Sequence, residues 1–328
     1  MKKLLNKKNI ISVIVTIALY IGITLLVGSG MLSRQYQSLL VPVGINIILA
    51  VSLNLTVGFL GELTLGHAGF MSVGAYAGCL FTTYANLPMY IEFPIGLLLG
   101  GIVAALFGII IGVPALRLKG DYLAIVTLAF GEIIRSIFTN LTITGGAGGL
   151  KGIDKATNYT VVYVLIVITV LCISNLVKSR HGRAICSIRD NVIAAESVGI
   201  NVVYHKLLAF VVAAFFAGVA GVLYGHNLGI LKPDTFDFNK SIEILVMVVM
   251  GGMGNIWGSI IAALVITILP EVLRGLADYR MLIYSIVLIL MMVLNASPRF
   301  SEFKENLLSK MKGKKTARKE NGDGTIRG

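Results

Sequence analysis

Ten long apolar runs dominate this sequence and restrict what the chain can fold into. Eight of them are 18 to 21 residues long, and a helix needs about 20 apolar residues to cross the roughly 30 Å hydrocarbon core of a membrane. Only 13% of the residues are charged, against about 25% in ordinary globular proteins. The runs therefore predict an all-α, polytopic transmembrane helical bundle with about 8 to 10 membrane segments. They occupy residues 10–28, 39–57, 66–84, 92–112, 121–140, 159–177, 207–226, 241–252, 256–273 and 281–296.

The eighth and ninth runs differ from the others. The eighth is too short to cross the membrane alone, and only the sequence GGMGN, Gly251–Asn255, separates it from the ninth. Irregular backbone at membrane depth is tolerated only where protein buries it or where it lines a water-filled cavity. This pair of runs therefore predicts a broken or a re-entrant helix.

The fifth run contains two opposite charges three residues apart, Glu132 and Arg135. Residues at this spacing lie on one face of a helix, and an ion pair makes both charges tolerable near lipid. We therefore predict a structural ion pair. A role of the two residues in substrate passage is the alternative.

Small residues recur inside other runs at four-residue spacing. Gly74 and Gly78 lie in the third run, and Ala217, Gly221 and Gly225 lie in the seventh. Such spacing allows two helix backbones to approach closely in a membrane. The sequence therefore predicts tight contacts between helices.

The charges of the chain predict its orientation. The net charge is +12, and 20 of the 28 Lys and Arg residues fall in stretches that are cytoplasmic if the N-terminus is inside. Without the C-terminal tail the split is 11 to 7, in the same direction. By the positive-inside rule we expect both termini of a multi-pass protein in the cytoplasm. The first run exceeds the usual length of a signal-peptide core, which favours a first membrane helix.

The composition of the C-terminus differs from that of the rest. Residues 301–328 are rich in Lys and Arg and have no apolar period. Such a segment is expected to be disordered and to lie near anionic lipid. We therefore predict a membrane domain over 1–300 and a basic cytoplasmic tail over 301–328.

Several kinds of site are not indicated by the sequence. The three cysteines, Cys79, Cys172 and Cys186, have neither metal-ligand nor redox spacing. The glycine-rich stretch TGGAGGLKGI, 144–153, lacks the lysine and hydroxyl residue that end a nucleotide-binding loop. We therefore expect no catalytic residue, no metal and no cofactor in this chain. Basic and aromatic residues do not interleave as in nucleic-acid binders, so nucleic acid is not an expected partner.

A polar, glycine-rich stretch, GFLGELTLGHAGF, occupies residues 58–70. It places Glu62, Thr64 and His67 where a helix begins, and Thr64 is the expected helix cap. A break of this kind near a membrane face is typical of residues that line a cavity. The three side chains are therefore candidates for a translocation path, and a plain cytoplasmic turn is the alternative. As a lone histidine, His67 is expected to be a hydrogen-bonded structural residue.

A second polar stretch, residues 178–206, separates the sixth and seventh runs. Asp190 is the expected N-cap and Gly199 the expected C′ residue of a short helix over Asn191–Val198. That helix carries Ala194, Ala195 and Glu196 and is too short to span a membrane. A short helix on the cytoplasmic surface, tied at both ends to membrane helices, is able to transmit a push from a partner. A plain connecting loop is the alternative.

The residues of this stretch also resemble a known family. AAESVGI followed by KLLAFVVAAFFAGVAGVLYG is similar to the coupling motif of bacterial ABC importer permeases. Four further stretches resemble, more narrowly, the permease subunits of branched-chain amino acid importers. They are GELTLGHAGFMSVGAYAG (61–78), LRLKGDYLAIVTLAFGEIIR (116–135), TGGAGGLKGI (144–153) and GGMGNIWGSIIAAL (251–264).

The resemblance implies a complete machine of which this chain is one part. It implies a second homologous permease, two cytosolic ABC ATPase subunits that carry ATP and Mg²⁺, and an extracytoplasmic substrate-binding protein, all at a bacterial cell membrane. The 189–199 helix would lie in a cleft of one ATPase, and leucine, isoleucine and valine would be the substrates. An importer of the same type for urea, short amides or nucleosides remains open. So do an ATPase-independent secondary transporter and a membrane scaffold.

Overall fold

The computed structural model describes residues 7–29, 33–85, 87–118 and 120–273, together with 285, 286 and 289. Contacts divide the chain into two compact units, Met1–Ile268 and Leu269–Gly328, and every contact discussed below lies within the first. The predicted tail, 301–328, lies outside the described residues, and so does the tenth apolar run except for the three isolated residues.

The described chain is almost entirely helical, which confirms the predicted fold class. Each of the first nine apolar runs coincides with a helix. Two short helices, α7 and α8, lie between the sixth and seventh runs. The helices are α1 (Lys7–Gly28), α2 (Arg34–Asn54), α3 (His67–Tyr84), α4 (Met89–Ala115), α5 (Asp121–Asn140), α6 (Tyr159–Lys178), α7 (Arg180–Asp190), α8 (Val192–Ser197), α9 (Val202–Leu228), α10 (Phe238–Gly251) and α11 (Ile256–Val272).

Five helical segments among the described residues are long and apolar enough to cross a membrane by themselves. Their burial differs widely, since 89% of the apolar window in the α2 segment lies inside the protein but only 17% of the window in α6 does. The α2 segment is therefore central, and α6 exposes most of its apolar surface at the periphery. The five are Gln35–Leu60, Met89–Ala115, Asp121–Asn140, Tyr159–Lys178 and Val202–Leu228.

Three helices, α3, α4 and α9, meet at three glycines. A Cβ atom on Gly74 of α3 would overlap the backbone of Gly218 in α9. A Cβ on Gly218 would lie 2.6 Å from the carbonyl oxygen of Gly100 in α4, and one on Gly100 would lie 2.6 Å from the oxygen of Gly74. Each glycine thus makes room for the next. The tight packing predicted from the small residues is confirmed, and Gly218 and Gly100 join it.

The α2 helix does not end at Asn54 but continues as a π-helical turn, Leu55–Leu60. Gly61 ends this turn with a φ of +80°, a conformation that glycine adopts without the steric cost a Cβ imposes. Non-helical backbone over residues 61–66 then leads to α3. Single π-turns inside helices occur frequently at functional sites, and this one contributes to the site described below.

The break predicted between the eighth and ninth runs separates two antiparallel helices. Lys240 near the start of α10 and Thr267 near the end of α11 both contact Asn46 of α2. The turn between the helices instead contacts the π-helical end of α2 through Gly254. The α10–α11 pair is therefore a helical hairpin that lies against α2, with its turn at the same end of the protein as residues 58–66.

One feature of the fold is absent from the sequence-based prediction. A two-stranded antiparallel ladder joins β1 (Leu150–Lys151) to β2 (Ile230–Leu231). The strands are only two residues long, which is too short for an alternating pattern to be visible in the sequence. The three cysteines are free thiols as expected, with Cys79 buried in α3.

Candidate functional site

The polar stretch 178–206 forms two helices, where only one was expected. Ser179 caps the first, α7, because its hydroxyl accepts a hydrogen bond from the Gly182 amide at 3.3 Å. Ile185 and Ile188 of α7 are buried and lie three residues apart. The serine cap and this spacing were signals for α7 that the prediction missed.

The N-cap predicted for the second helix, α8, is wrong by one residue. The side-chain oxygen of Asn191 accepts the Ala194 amide at 3.0 Å, whereas Asp190 is the last residue of α7. The geometry explains the error, because Asn191 has extended backbone, as an N-cap requires. Asp190 instead accepts two hydrogen bonds from the guanidinium of Arg189.

Gly199 ends α8, in the conformation that was predicted. Its φ is +83°, and its amide donates to the Glu196 carbonyl at 3.0 Å. The amide of Ile200 donates to the carbonyl of Ala195 at 3.1 Å. This pair of bonds is a Schellman motif, which stops the helix and turns the chain towards α9.

The surface of α8 is more apolar than expected. Ile193 is 80% exposed and Val198 is 74% exposed, and Ala194 and Glu196 are also exposed. Ala195, one of the candidates for coupling to an ATPase, is only 3% exposed and packs inwards. Large exposed apolar side chains on a polar surface are typical of a protein–protein contact.

Arg189 attaches the end of α7 to the membrane helices. Its Nη1 atom donates to the backbone carbonyl oxygen of Gly58, in the π-helical turn, at 3.2 Å. Its aliphatic stem covers Gly61, where an added Cβ would lie 2.6 Å from the Arg189 Cγ. The close approach of the arginine therefore depends on glycine at this position.

Lys206 attaches the start of α9 to the same stretch. Its ammonium group forms an ion pair with the Glu62 carboxylate, and the two side chains are only 8% and 14% exposed. Glu62 was a candidate for a translocation path, and here it joins the 61–66 segment to α9. We call Gly58, Gly61, Glu62, Arg189 and Lys206, together with Gly254, the junction.

The α10–α11 hairpin reaches the junction through Asn54. The side-chain oxygen of Asn54 accepts the Gly254 amide at 2.9 Å, and its side-chain nitrogen donates to the Ser259 hydroxyl at 3.0 Å. A Cβ on Gly58 would overlap the Gly254 amide nitrogen. The turn of the hairpin, the π-helical end of α2 and the end of α7 therefore meet at one place.

The other two path candidates, Thr64 and His67, are buried. Thr64 is buried but does not cap α3, because the N-cap residue is Gly66. The Ser241 hydroxyl of α10 instead accepts the Ala68 amide at 3.2 Å. His67 lies 2.9 Å from the Ser52 hydroxyl, as expected for a structural histidine. Among the described residues, no three His, Cys, Asp or Glu side chains form a set of metal ligands.

The charges in α5 lie apart from the junction. Arg135 contacts Glu132 at 2.8 Å and also contacts Asp234 at 3.2 Å. The ion pair expected from the spacing is therefore present, and a third charge from the segment after β2 extends it. This cluster joins α5 to the chain between α9 and α10.

The prediction missed three residues of this region: Arg189, Lys206 and Asn54. Two of them, Arg189 and Lys206, are basic residues of the polar stretch 178–206, and a basic residue in such a stretch is a weak signal. The third is a polar residue inside an apolar run, next to the glycine-rich stretch that begins at Gly58. A polar side chain is costly in a membrane unless it has a partner, and this cost was the signal that could have identified Asn54.

Comparisons with known proteins match most of this chain to one family. Residues 35–295 match the model of the family described as branched-chain amino acid transport system / permease component. The chain is 36% identical over 259 residues to the high-affinity branched-chain amino acid transport system permease proteins LivM of Salmonella typhimurium and of Escherichia coli K12. Each alignment covers 68% of this chain and 60% of the relative, so the chain spans less than two thirds of their length.

Two further relatives match less closely. LivH of Salmonella typhimurium is 29% identical over 132 residues, which are 40% of this chain and 42% of the relative. The ribose import permease RbsC of Haemophilus influenzae is 26% identical over 247 residues, 68% of this chain and 74% of the relative. No solved structure matches significantly. The long apolar helices and the match over 35–295 establish that this multi-pass membrane protein belongs to the family of branched-chain amino acid transport permease components.

Proposed function

We propose that this chain is a permease subunit of an ATP-driven ABC importer for leucine, isoleucine and valine. In this proposal it forms the translocation path together with a second homologous permease in a bacterial cell membrane. Two cytosolic ATPase subunits bind ATP and Mg²⁺ and supply the energy, and an extracytoplasmic binding protein delivers the substrate. Both chain termini lie in the cytoplasm.

One observation carries the proposal: α8 is exposed, and an attachment to the bundle flanks it on each side. Ile193 and Val198 present apolar side chains to the outside, where a partner would bury them. Arg189 at the end of α7 and Lys206 at the start of α9 contact residues 58–62. A force applied to α8 therefore reaches the segment between α2 and α3 directly.

The junction also gives that force a route into the α10–α11 hairpin. Gly58 lies against Gly254, and Asn54 binds both the Gly254 amide and Ser259. A displacement of the π-helical turn must change these contacts. Coupling of this kind requires that the partners bind two states of the permease with different affinity, and the junction is the element whose geometry we propose to differ between them.

The relatives support the choice of substrate and of a paired permease. The LivM and LivH relatives are both named as permeases of high-affinity branched-chain amino acid transport, and this chain resembles each of them. A pair of similar permeases is the simplest explanation of similarity to both. The ribose permease is less similar to this chain, and ribose is therefore the competing substrate in the test.

The test is uptake of labelled substrate into proteoliposomes. The complete complex contains this chain, the second permease, the ATPases and the binding protein, and it is supplied with ATP. We expect leucine, isoleucine and valine to accumulate, and omission of any one component to abolish accumulation. Ribose and urea are the matched substrate controls.

Three outcomes would contradict the proposal. Accumulation of ribose or urea without leucine would keep the mechanism but change the substrate. Leucine accumulation by this chain alone under a sodium or proton gradient would establish a secondary transporter. ATP hydrolysis by this chain alone would overturn the assignment of the energy source to other subunits.

A further inference from the structure

A second charged cluster lies inside the span, well away from the junction. Its nearest residue on α2, Asn46, precedes Gly58 by twelve residues, so it lies about 18 Å further along the helix at 1.5 Å per residue. The hydrocarbon core is about 30 Å thick. With the junction at one membrane face, Asn46 therefore lies deep within the core.

The cluster contains two opposite charges and two polar side chains. The Lys240 ammonium donates to the Glu243 carboxylate at 3.0 Å and to the side-chain oxygen of Asn46 at 3.2 Å. The side-chain nitrogen of Asn46 donates to the Thr267 hydroxyl at 2.9 Å. The bond to Thr267 fixes the amide so that its oxygen faces Lys240. Three helices, α2, α10 and α11, thus contribute to one polar locus.

The exposure of this pair differs from that of the ion pair at the junction. Lys206 and Glu62 at the junction are 8% and 14% exposed, whereas Lys240 and Glu243 are 18% and 34% exposed. Charges at membrane depth are costly in contact with lipid, and they face a protein interior or a water-filled cavity. In this chain the open side of Glu243 therefore faces outwards from the helices, towards the path that we propose this chain forms with the second permease.

We infer that Lys240 and Glu243 bind the charged head group of the substrate, the α-carboxylate and α-ammonium that every free amino acid carries. The carboxylate of the substrate contacts the Lys240 ammonium, and its ammonium contacts the Glu243 carboxylate. The internal pair is exchanged for two ion pairs of the same kind, so no charge becomes unpaired when the substrate enters. Asn46 acts as a positioning residue that orients Lys240. This inference rests on the proposed function.

Recognition of the charged head group requires more than an apolar surface. Branched-chain side chains are recognised by apolar surface, which the membrane helices provide in abundance. The zwitterion needs one positive and one negative group a short distance apart, and a helix places residues i and i+3 on one face. Lys240 and Glu243, three residues apart on α10, meet this requirement.

The experiment measures leucine uptake by the complete complex with variants of the pair. Glu243→Gln and Lys240→Met remove one charge each, and we expect at least a tenfold loss of uptake with ATP hydrolysis still stimulated by the binding protein. Glu243→Asp keeps the charge but shortens the side chain by one methylene, and we expect a several-fold higher KM with an unchanged melting temperature. Glu132→Gln is the matched control, because Glu132 belongs to the other i, i+3 pair, in α5, and it should retain wild-type uptake.

A double variant, Lys240→Glu with Glu243→Lys, distinguishes recognition from structure. It restores an ion pair with reversed polarity beside an unchanged Asn46. We expect it to remain defective in uptake. Wild-type uptake by the reversed pair, or a wild-type KM in Glu243→Asp, would overturn the inference. Failure of the unmodified complex to accumulate leucine would instead reject the proposed function, so the two failures are distinguishable.

Discussion

The guanidinium of Arg189 and the carbonyl oxygen of Gly58 lie 3.2 Å apart, although 131 residues separate them along the chain. This hydrogen bond joins the last turn of α7 to the π-helical end of α2. It is a direct polar contact between α7 and the α2–α3 segment. Its loss should therefore affect communication between α8 and the bundle more than it affects folding.

We predict that Arg189→Ala lowers leucine uptake by the complete complex at least fivefold. The arginine side chain is 40% exposed, so the folding free energy should change by less than about 1 kcal/mol. ATPase activity and uptake are measured together, and the amount of ATP hydrolysed per leucine taken up should rise. Arg183→Ala is the control, because the Arg183 side chain bonds to Lys178 within its own segment. Equal effects of the two variants would contradict the prediction.

The buried pair of Glu62 and Lys206 should behave as a structural unit. Lys206→Met leaves the Glu62 carboxylate buried without its counter-charge, which typically costs about 3–5 kcal/mol. Adding Glu62→Gln should recover most of that loss, because no buried charge then remains. The measurement is a double-mutant cycle of unfolding in detergent. Additive destabilisation by the two changes would show that they do not interact.

The three-glycine contact predicts opposite effects for the same chemical change. Gly218→Ala places a Cβ 2.5 Å from that of Ala104 and 2.6 Å from the oxygen of Gly100, so the helices must separate at a cost of about 1–3 kcal/mol. Gly22→Ala in α1 meets nothing within 4 Å, and it should stabilise its helix by about 1 kcal/mol. Melting temperatures in detergent compare the two. A stable Gly218→Ala protein would show that the helices pack less closely than described.

Gly199 provides a test of the end of α8. Gly199→Val should reduce uptake and weaken ATPase docking, because a β-branched residue is strained by about 1–2 kcal/mol at a φ of +83°. Gly199→Asn is the control, since asparagine tolerates this conformation. No residue lies within 4 Å of an added Cβ, so steric overlap does not contribute. Pull-down of the ATPase with each variant measures docking. Wild-type docking by the valine variant would support the alternative that residues 178–206 only connect two membrane helices.

The orientation of the chain is tested by cysteine labelling in intact cells. In a background with Cys172 and Cys186 replaced by serine, Lys151→Cys should react with an impermeant thiol reagent added outside. Glu196→Cys should react only after permeabilisation. Glu196 is a suitable probe because its side chain is exposed, whereas the neighbouring Ala195 is buried. Labelling of the Glu196 variant in intact cells would reverse the predicted topology.

The sequence predicted the helices better than it predicted their ends and contacts. The apolar runs correspond to nine of the described helices. An apolar segment in lipid forms a helix because its backbone N–H and C=O groups must hydrogen-bond to each other there. The run of residues 39–57 did not reveal the π-helical turn, because that turn depends on the contacts of Asn54 and Gly58 with the hairpin. The β1–β2 ladder joins segments about 80 residues apart, and no local pattern encodes it.

In the candidate site too, some features follow from the local sequence and others depend on distant contacts. The end of α8 at Gly199 requires a backbone conformation that few residue types adopt, so the identity of this one residue was enough to predict it. The burial of Ala195 and the exposure of Ile193 depend on how α8 lies against the bundle, which its own six residues do not determine. Glu62 was identified as a polar residue of interest, but its partner Lys206 lies 144 residues away, beyond the reach of spacing.

Two attachments flank α8, and their arrangement has a geometric consequence. A body fixed at one point is free to turn about three axes, whereas a body fixed at two points is free to turn about only the line that joins them. Arg189 at the end of α7 and Lys206 at the start of α9 supply two such points, and both contact the short stretch from Gly58 to Glu62. Rotation about the line between these contacts is therefore the movement of α8 that they oppose least, so the direction in which a partner pushes selects how far the helix moves.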